Sequence, residues 1–290
     1  MLNDYEKQLR QTNLADNTIV SYCHSLKQYL KMYENVFTKK NLLSFKGFLI
    51  ENYSPKTVNL RILAINKYLE FNKLDKLKLK MIKVQQKTYL ENVISDADYK
   101  FFKNKLKKDG RLNWYFIVRY LAATGARISE LVQIKIEHVH KGYIDIYGKG
   151  GKVRRIYIPK SLRTETLKWL DSNNLESGYL FLNRFGEKIT TRGVAHQLKI
   201  FAAEYGMDTK VVYPHSFRHR FAKNFLEKYN DLAFLADLMG HESIETTRIY
   251  LRKLPTNNKR SLIRLLRGNK LKKFLGVNRR TFLSRVVLMN

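Results

Sequence analysis

Apolar residues recur at steps of three and four along much of this chain, the spacing that gives a helix one buried face. Residues 17–33 set Ile19, Cys23, Leu26, Leu30 and Tyr33 on one stripe, with Asp16 or Asn17 as the expected cap. Residues 38–52 predict a second helix with a less regular stripe. Ser54-Pro55 opens a third, with serine at the cap and proline at the first helical position. Its inward positions are Val58, Ile62, Ile65 and Leu69. The stretch from Met1 to Arg10 is polar and charged, unlike a secretory leader.

Residues 73–93 are dense in lysine and keep no period. Ser95 and Asp98 then form a capping box for a new helix that Gly110 stops. Residues 112–123 are apolar enough for a core helix, and a short helix over 128–134 follows the Thr124-Gly125 turn. The period changes at Tyr143. Tyr143–Tyr147 alternates as a strand does, residues 148–152 make a glycine-rich turn, and Val153–Ile158 forms the second arm of a hairpin closed by Pro159. Helices resume over 161–171, 191–205, 215–228, 231–239 and 243–253.

The expected fold is mainly α with a small antiparallel sheet. The boundaries that follow are a helical domain over 1–75, a basic linker over 76–94, a second domain over 95–268 and a basic tail over 269–290. The tail is unusual in composition: beyond Glu245 no acidic residue occurs, while residues 246–290 hold thirteen Lys or Arg. Leu262, Leu265 and Leu266 suit one more helix just ahead of residue 269.

Composition narrows the partner. At 290 residues and 44% hydrophobic, the chain can build two ordinary cores. Its formal charge of +30 is a large self-repulsion, which a polyanion such as nucleic acid would relieve. No apolar run reaches the length of a membrane span, so no membrane partner is expected. Cys23 is the only cysteine, which excludes an internal disulfide and any Cys-based zinc ladder. It reads as a small core residue in a reducing compartment. No metal and no cofactor are expected.

Candidate chemistry lies in four strings. After Pro214, the string HSFRH places His215, Arg218 and His219 on one helical face, with Phe217 and Phe221 turned toward a core. A solvated basic face has the same pattern. Gly240-His241 marks a turn, and Tyr250 lies nine residues further on. Alone, such a histidine is more often a capping or hydrogen-bonded residue than a catalyst. Within ATGARISEL, Arg127 either pairs with Glu130 one turn away or aims its planar fork at a phosphate. Lys149 sits at the glycine-flanked hairpin tip.

Taken together, Arg127, Lys149, His215, Arg218, His241 and Tyr250 resemble the tyrosine recombinase family of phage-type integrases. The strings ATGARISEL, GKGGK, HSFRHRFA and LMGHESIETTRIY carry the resemblance over residues 95–254. More weakly, NTIVSYCHSLKQYL and SPKTVNLRILAINKYLEF look like that family's helical, SAM-like core-binding domain.

The resemblance implies a site-specific DNA recombinase that cuts and rejoins strands through a 3′-phosphotyrosyl bond to Tyr250. Arg127 and Arg218 would hold the phosphate oxygens, His215 would assist proton transfer from the tyrosine, Lys149 would protonate the departing 5′-oxygen and His241 would hydrogen-bond the phosphate. DNA contacts are expected from Lys73, Lys76, Lys78, Lys80, Lys83, Lys152 and Arg154, with His219 in a supporting role. Such contacts give binding that weakens with salt, by a slope of about −0.9 per neutralised phosphate. The implied partners are double-stranded DNA, a homotetramer on two synapsed sites and an accessory directionality protein. The implied location is the cytoplasm. No arm-binding domain of the lambda type precedes the helices, so a simple Xer-like layout is expected. A type IB topoisomerase, a non-catalytic DNA-binding regulator and an RNA-binding protein remain the rival readings.

Overall fold

The computed structural model describes residues 1–84, 91–147, 153–241 and 243–251. Described residues 1–84 belong to one compact unit and those from 91 onward to a second.

The first unit holds α1 (Leu2–Gln11), α2 (Asp16–Tyr33), α3 (Lys39–Asn52) and α4 (Pro55–Phe71). The anticipated stripes of α2 and α4 are its core: Ile19, Leu26, Val58, Ile62, Ile65 and Leu69 are all buried. Helix α2 is capped at Ala15 with no side-chain bond, one residue before the expected caps, and Asp16 instead lies in the first turn. There a negative charge meets the positive end of the helix. Helix α1 falls in the stretch that looked merely polar. Only Tyr5 and Leu9 are buried in it, but Tyr5 also donates its hydroxyl to the Ala64 carbonyl at 2.7 Å. One turn of apolar spacing, joined by one tertiary hydrogen bond, is enough to dock it.

The expected linker does not begin at residue 76. Leu79 is 5% exposed and belongs to this core. Asn66 takes the Leu79 N–H at 2.8 Å and donates to its carbonyl at 2.8 Å, and Asn59 brackets Ile82 in the same way at 2.9 Å. Two asparagines on α4 therefore satisfy the backbone of an extended strip that lacks any helical or strand period. Sequence periodicity cannot register such a segment.

The second unit begins with α5 (Asp96–Lys108), where Ser95 Oγ caps the Asp98 N–H at 3.0 Å as anticipated. It continues through α6 (Leu112–Thr124), α7 (Ile128–Leu131) and α8 (Ile136–Lys141). Helix α7 is shorter than the expected 128–134, and α8 has no counterpart among the sequence expectations. The hairpin forms as read: β1 (Tyr143–Tyr147) pairs antiparallel with β2 (Val153–Tyr157), in a register that sets Tyr143 opposite Tyr157 and Ile144 opposite Ile156. Asp145 faces Arg155, and the pair is tied at 2.8 Å. Then follow α9 (Lys160–Asp171), α10 (Thr191–Glu204), α11 (Pro214–Tyr229), α12 (Leu232–Met239) and α13 (Ile244–Arg248).

Helix α6 lies at the centre of this unit, with Phe116, Ile117, Val118, Tyr120 and Leu121 buried. A smaller cluster joins Ala222 and Leu226 of α11 to Leu235 and Met239 of α12, and Tyr250 packs against it. Among the described residues, no helix is long and apolar enough to cross a membrane.

Candidate active site

The site is built where two helices end. Helix α6 stops at Gly125 (φ +63°) and α12 stops at Gly240 (φ +58°), both in the left-handed region that favours glycine. A side chain would also have no room there. A Cβ on Gly125 would lie 2.4 Å from the Phe221 ring, and one on Gly240 would lie 2.4 Å from Arg154 Cδ. The last carbonyls of a helix lack partners within it and carry the negative end of its dipole.

Three arginines supply those partners. Arg218, on α11, donates to the Gly125 carbonyl, and at 2.6 Å to that of Met239. Arg127 donates to the Gly240 carbonyl at 2.9 Å, and Arg154 to that of Leu238 at 2.8 Å. Glu130 lies between two of them: it holds Arg127 Nη1 at 3.0 Å, takes the Arg127 N–H at 2.6 Å and pairs with Arg154 Nη2. The pairing of Arg127 with Glu130 is present and fixes its fork at the start of α7.

Glu130 is the one carboxylate in these contacts, set against three guanidinium groups. Arg218 is 3% exposed and forms no ion pair among the described residues. Burial, and then the charges of Arg127 and Arg154, lower its pKa to about 10. Such a cluster is electrostatically short of negative charge.

The histidines and the tyrosine complete the arrangement. Across α11, the rings of His215 and His219 stand 6.1 Å apart. His219 Nδ1 lies 2.8 Å from the Tyr250 hydroxyl. His215 is exposed and makes no hydrogen bond among the described residues. Of the two histidines, the one in contact with the tyrosine hydroxyl is therefore His219, one turn on from His215. His241 is held by Thr247, with Nδ1 2.7 Å from Thr247 Oγ1, and its Nε2 lies 3.3 Å from Arg218 Nη2.

Burial is the largest cause of the low pKa of both His219 and His241, which falls to about 4. For His219 the charges of His215 and Arg218 add to it, and for His241 those of Arg218, Arg127, Arg154 and His219. The pKa of His215 is also lowered, first by desolvation and then by Arg218 and Arg127. Burial lifts Tyr250 to about 12, while Arg218 and Arg127 pull against that rise and Tyr213 adds to it.

The remaining expected contacts divide. Lys73, Lys76, Lys80 and Lys83 are exposed on the first unit. Lys78 is half-buried and already paired, 2.6 Å from Asp75 and 3.2 Å from Glu70. Arg154 was expected at a DNA backbone, but its side chain is only 12% exposed and its donors are committed. Strand parity explains this, because Arg154 shares a face of β2 with the buried Ile156. Lys149, Lys152, Leu262, Leu265, Leu266 and the tail over 269–290 lie outside the described residues. Thr247 and the second role of Glu130 were not foreseen. Thr247 is fully buried. Among the described residues, no group of three or more His, Cys, Asp or Glu could hold a metal ion.

The sequence pattern of the phage integrase family matches residues 94–257. Tyrosine recombinase XerA of Pyrococcus furiosus is 30% identical over 258 residues, covering 87% of this chain and 89% of that protein. The TnP I resolvase of Bacillus thuringiensis is 29% identical over 285 residues, covering 89% of this chain and 98% of that protein. A Tn1549 transposon integrase in complex with transposon right-end DNA superposes with a TM-score of 0.69 at 16% identity, covering 92% of this chain and 99% of that one. At that identity the likeness is one of fold. The chain belongs to the phage integrase family of tyrosine recombinases.

Proposed function

We propose that Tyr250 is the nucleophile with which this chain, a site-specific DNA recombinase by its family, cuts and rejoins a DNA strand. One observation carries the reading: a tyrosine hydroxyl hydrogen-bonded to His219 and acted on by the charges of both Arg127 and Arg218. A phenol is a weak nucleophile at its ordinary pKa and needs both a base and nearby cations.

The chemistry balances within the chain and its DNA. Tyr250 Oη attacks the scissile phosphorus and its hydroxyl proton leaves. The phosphorus–O5′ bond breaks, a 3′-phosphotyrosyl bond forms and the 5′-oxygen takes a proton, for which Lys149 is the proposed donor. Attack by the 5′-hydroxyl of another strand reverses the sequence. The phosphotyrosyl bond conserves the energy of the cut bond, so no nucleotide triphosphate is consumed. Arg127, Arg218 and His241 would stabilise the charge that builds on the non-bridging oxygens. Removing one such preorganised donor typically costs about 3 kcal/mol of barrier.

The proposed partner is double-stranded DNA, met by the exposed lysines of the first unit. The proposed assembly is a homotetramer on two synapsed sites, with an accessory protein setting direction, in the cytoplasm. Mobile-element excision, integration and replicon resolution all use this exchange. To test the reading, two labelled duplexes of different length, each bearing a site selected by the protein, are mixed with it. Recombinant strands of new length are expected. Relaxation of single supercoiled plasmids with no strand exchange would assign the topoisomerase reading instead.

A further inference from the structure

We propose that His219, and not His215, takes the proton from Tyr250 as the strand is cut and returns it as the strand is rejoined. The inference rests on the reading of Tyr250 as nucleophile and assigns the base within it.

Geometry carries the argument. His219 Nδ1 stands 2.8 Å from Tyr250 Oη, inside the range for direct proton transfer. His215 makes no hydrogen bond to any described residue. The contact also has a defined polarity. Tyr250 keeps its proton in the buried setting that lifts its pKa to about 12, and His219 is held neutral by the setting that lowers its own to about 4. A neutral imidazole has one acceptor nitrogen. Tyr250 therefore donates to Nδ1, and the ring proton of His219 sits on Nε2.

The charges and burial around this pair oppose the transfer in the free protein. His215 and Arg218, on the same helix, both disfavour a proton on His219, and His241 lies close enough to feel its charge. Arg127, Arg218 and Tyr213 face the phenol. Transfer from a group near 12 to one near 4 lies far uphill in the free protein. A phosphodiester among the arginines raises the proton affinity of His219, since its negative charge offsets that of Arg218, which adds to burial and His215 in holding His219 neutral. As the Oη–phosphorus bond forms, the phenol oxygen loses its hold on the proton. The step forms Oη–P, Nδ1–H and O5′–H, and breaks Oη–H, P–O5′ and an N–H of the acid that protonates the leaving oxygen, for which Lys149 is proposed above. On rejoining, Nδ1–H, Oη–P and O5′–H break while Oη–H, P–O5′ and the N–H of that acid re-form.

The test uses the full chain and a nicked duplex selected from random-sequence DNA for adduct formation by the unaltered protein. Single-turnover adduct formation is followed from pH 5.5 to 9.5 for the unaltered protein, His219→Ala, His219→Asn and His215→Ala. Asparagine keeps a hydrogen-bond acceptor at the Nδ1 position without a usable proton affinity. With His219 as base, the unaltered protein gives a nearly flat profile. His219→Ala and His219→Asn lose about 10²–10⁴-fold at pH 7 and rise about tenfold per pH unit, because the phenol must then ionise to solvent. DNA affinity stays the same. A substrate with sulfur at the bridging 5′ position, whose leaving group needs no proton, does not rescue them.

A flat profile and near-full rate in His219→Asn would reduce His219 to a positioning residue and overturn the inference. So would rescue by the sulfur substrate, or transfer of the pH-dependent loss to His215→Ala. An adduct of the unaltered protein mapped to a residue other than Tyr250 overturns the underlying reading as well, and so separates the two failures.

Discussion

Arg218 Nη2 and His241 Nε2 lie 3.3 Å apart although 23 residues separate them in the chain. A guanidinium group can only donate, so Nε2 is the accepting nitrogen and the ring proton of His241 sits on Nδ1, directed at Thr247 Oγ1 2.7 Å away. To donate to a phosphate, His241 must first gain a proton on Nε2, and in the free protein its pKa is held at about 4. DNA should therefore draw a proton onto this histidine. Nitrogen-15 NMR of the His241 ring is expected to show the neutral Nδ1–H form without DNA at pH 7, and protonation of Nε2 on binding a non-cleavable duplex. An unchanged neutral ring in the complex contradicts this account.

Glu130 is 8% exposed in its side chain and Arg154 12%, so their pair is largely withdrawn from water. Removing one member of a buried pair leaves the other charge uncompensated, at a cost of about 3–5 kcal/mol. Glu130→Gln keeps the shape and removes the charge, and should lower unfolding stability by about 3 kcal/mol on that basis. Adduct formation should fall too, since the mutation also releases Arg127. Urea unfolding measures the first effect, and a variant as stable as the unaltered protein would show that Glu130 does not anchor the arginines.

Gly240→Ala should be worse than its small size suggests. The left-handed backbone costs a side chain about 1 kcal/mol, and displacement of Arg154 adds about 1–3 kcal/mol. Gly110 (φ +70°) has nothing within 4 Å of a Cβ and serves as the control. Gly110→Ala should show the backbone cost alone. Equal losses of melting temperature in the two variants would contradict the packing argument.

Stability should also depend on two histidines. His219 and His241 fall from an ordinary 6.5 to about 4 in the folded protein, so the unfolded chain binds protons more readily between those values. Their contribution is complete above pH 6.5 and is lost as pH falls toward 4. Between pH 7 and 5 each should cost roughly 1 kcal/mol once partial solvent screening is allowed for. Urea midpoints at the two pH values check this, with the double variant His219→Gln, His241→Gln as reference. A reference that loses as much stability as the unaltered protein would place the dependence elsewhere.

Much of this could be read from residue spacing. The stripes of α2 and α4, the cap of α5 and the hairpin alternation are local, so they are visible in sequence. Helix α1 was not, because two apolar residues and a tyrosine hydroxyl aimed at Ala64 dock it. Nor was the strip around Leu79, whose order comes from Asn59 and Asn66 rather than from a period. At the site, the local strings pointed to His215, Arg218, His241 and Tyr250. The carbonyl anchors of the arginines join positions 21 to 113 residues apart and depend on where α6 and α12 end in space. The contact of His219 rather than His215 with Tyr250 was equally hidden, since both lie on one face of α11 and only the docking of Tyr250 chooses between them.

The most direct measurement is covalent capture. The protein is incubated with a nicked duplex bearing its selected site, so that the short fragment carrying the freed 5′-hydroxyl diffuses away, and the products are run on a denaturing gel. A protein–DNA adduct is expected, with the nucleotide on the peptide containing Tyr250, and Tyr250→Phe should abolish it while still binding the duplex. An adduct of undiminished yield in Tyr250→Phe would contradict the assignment of the nucleophile.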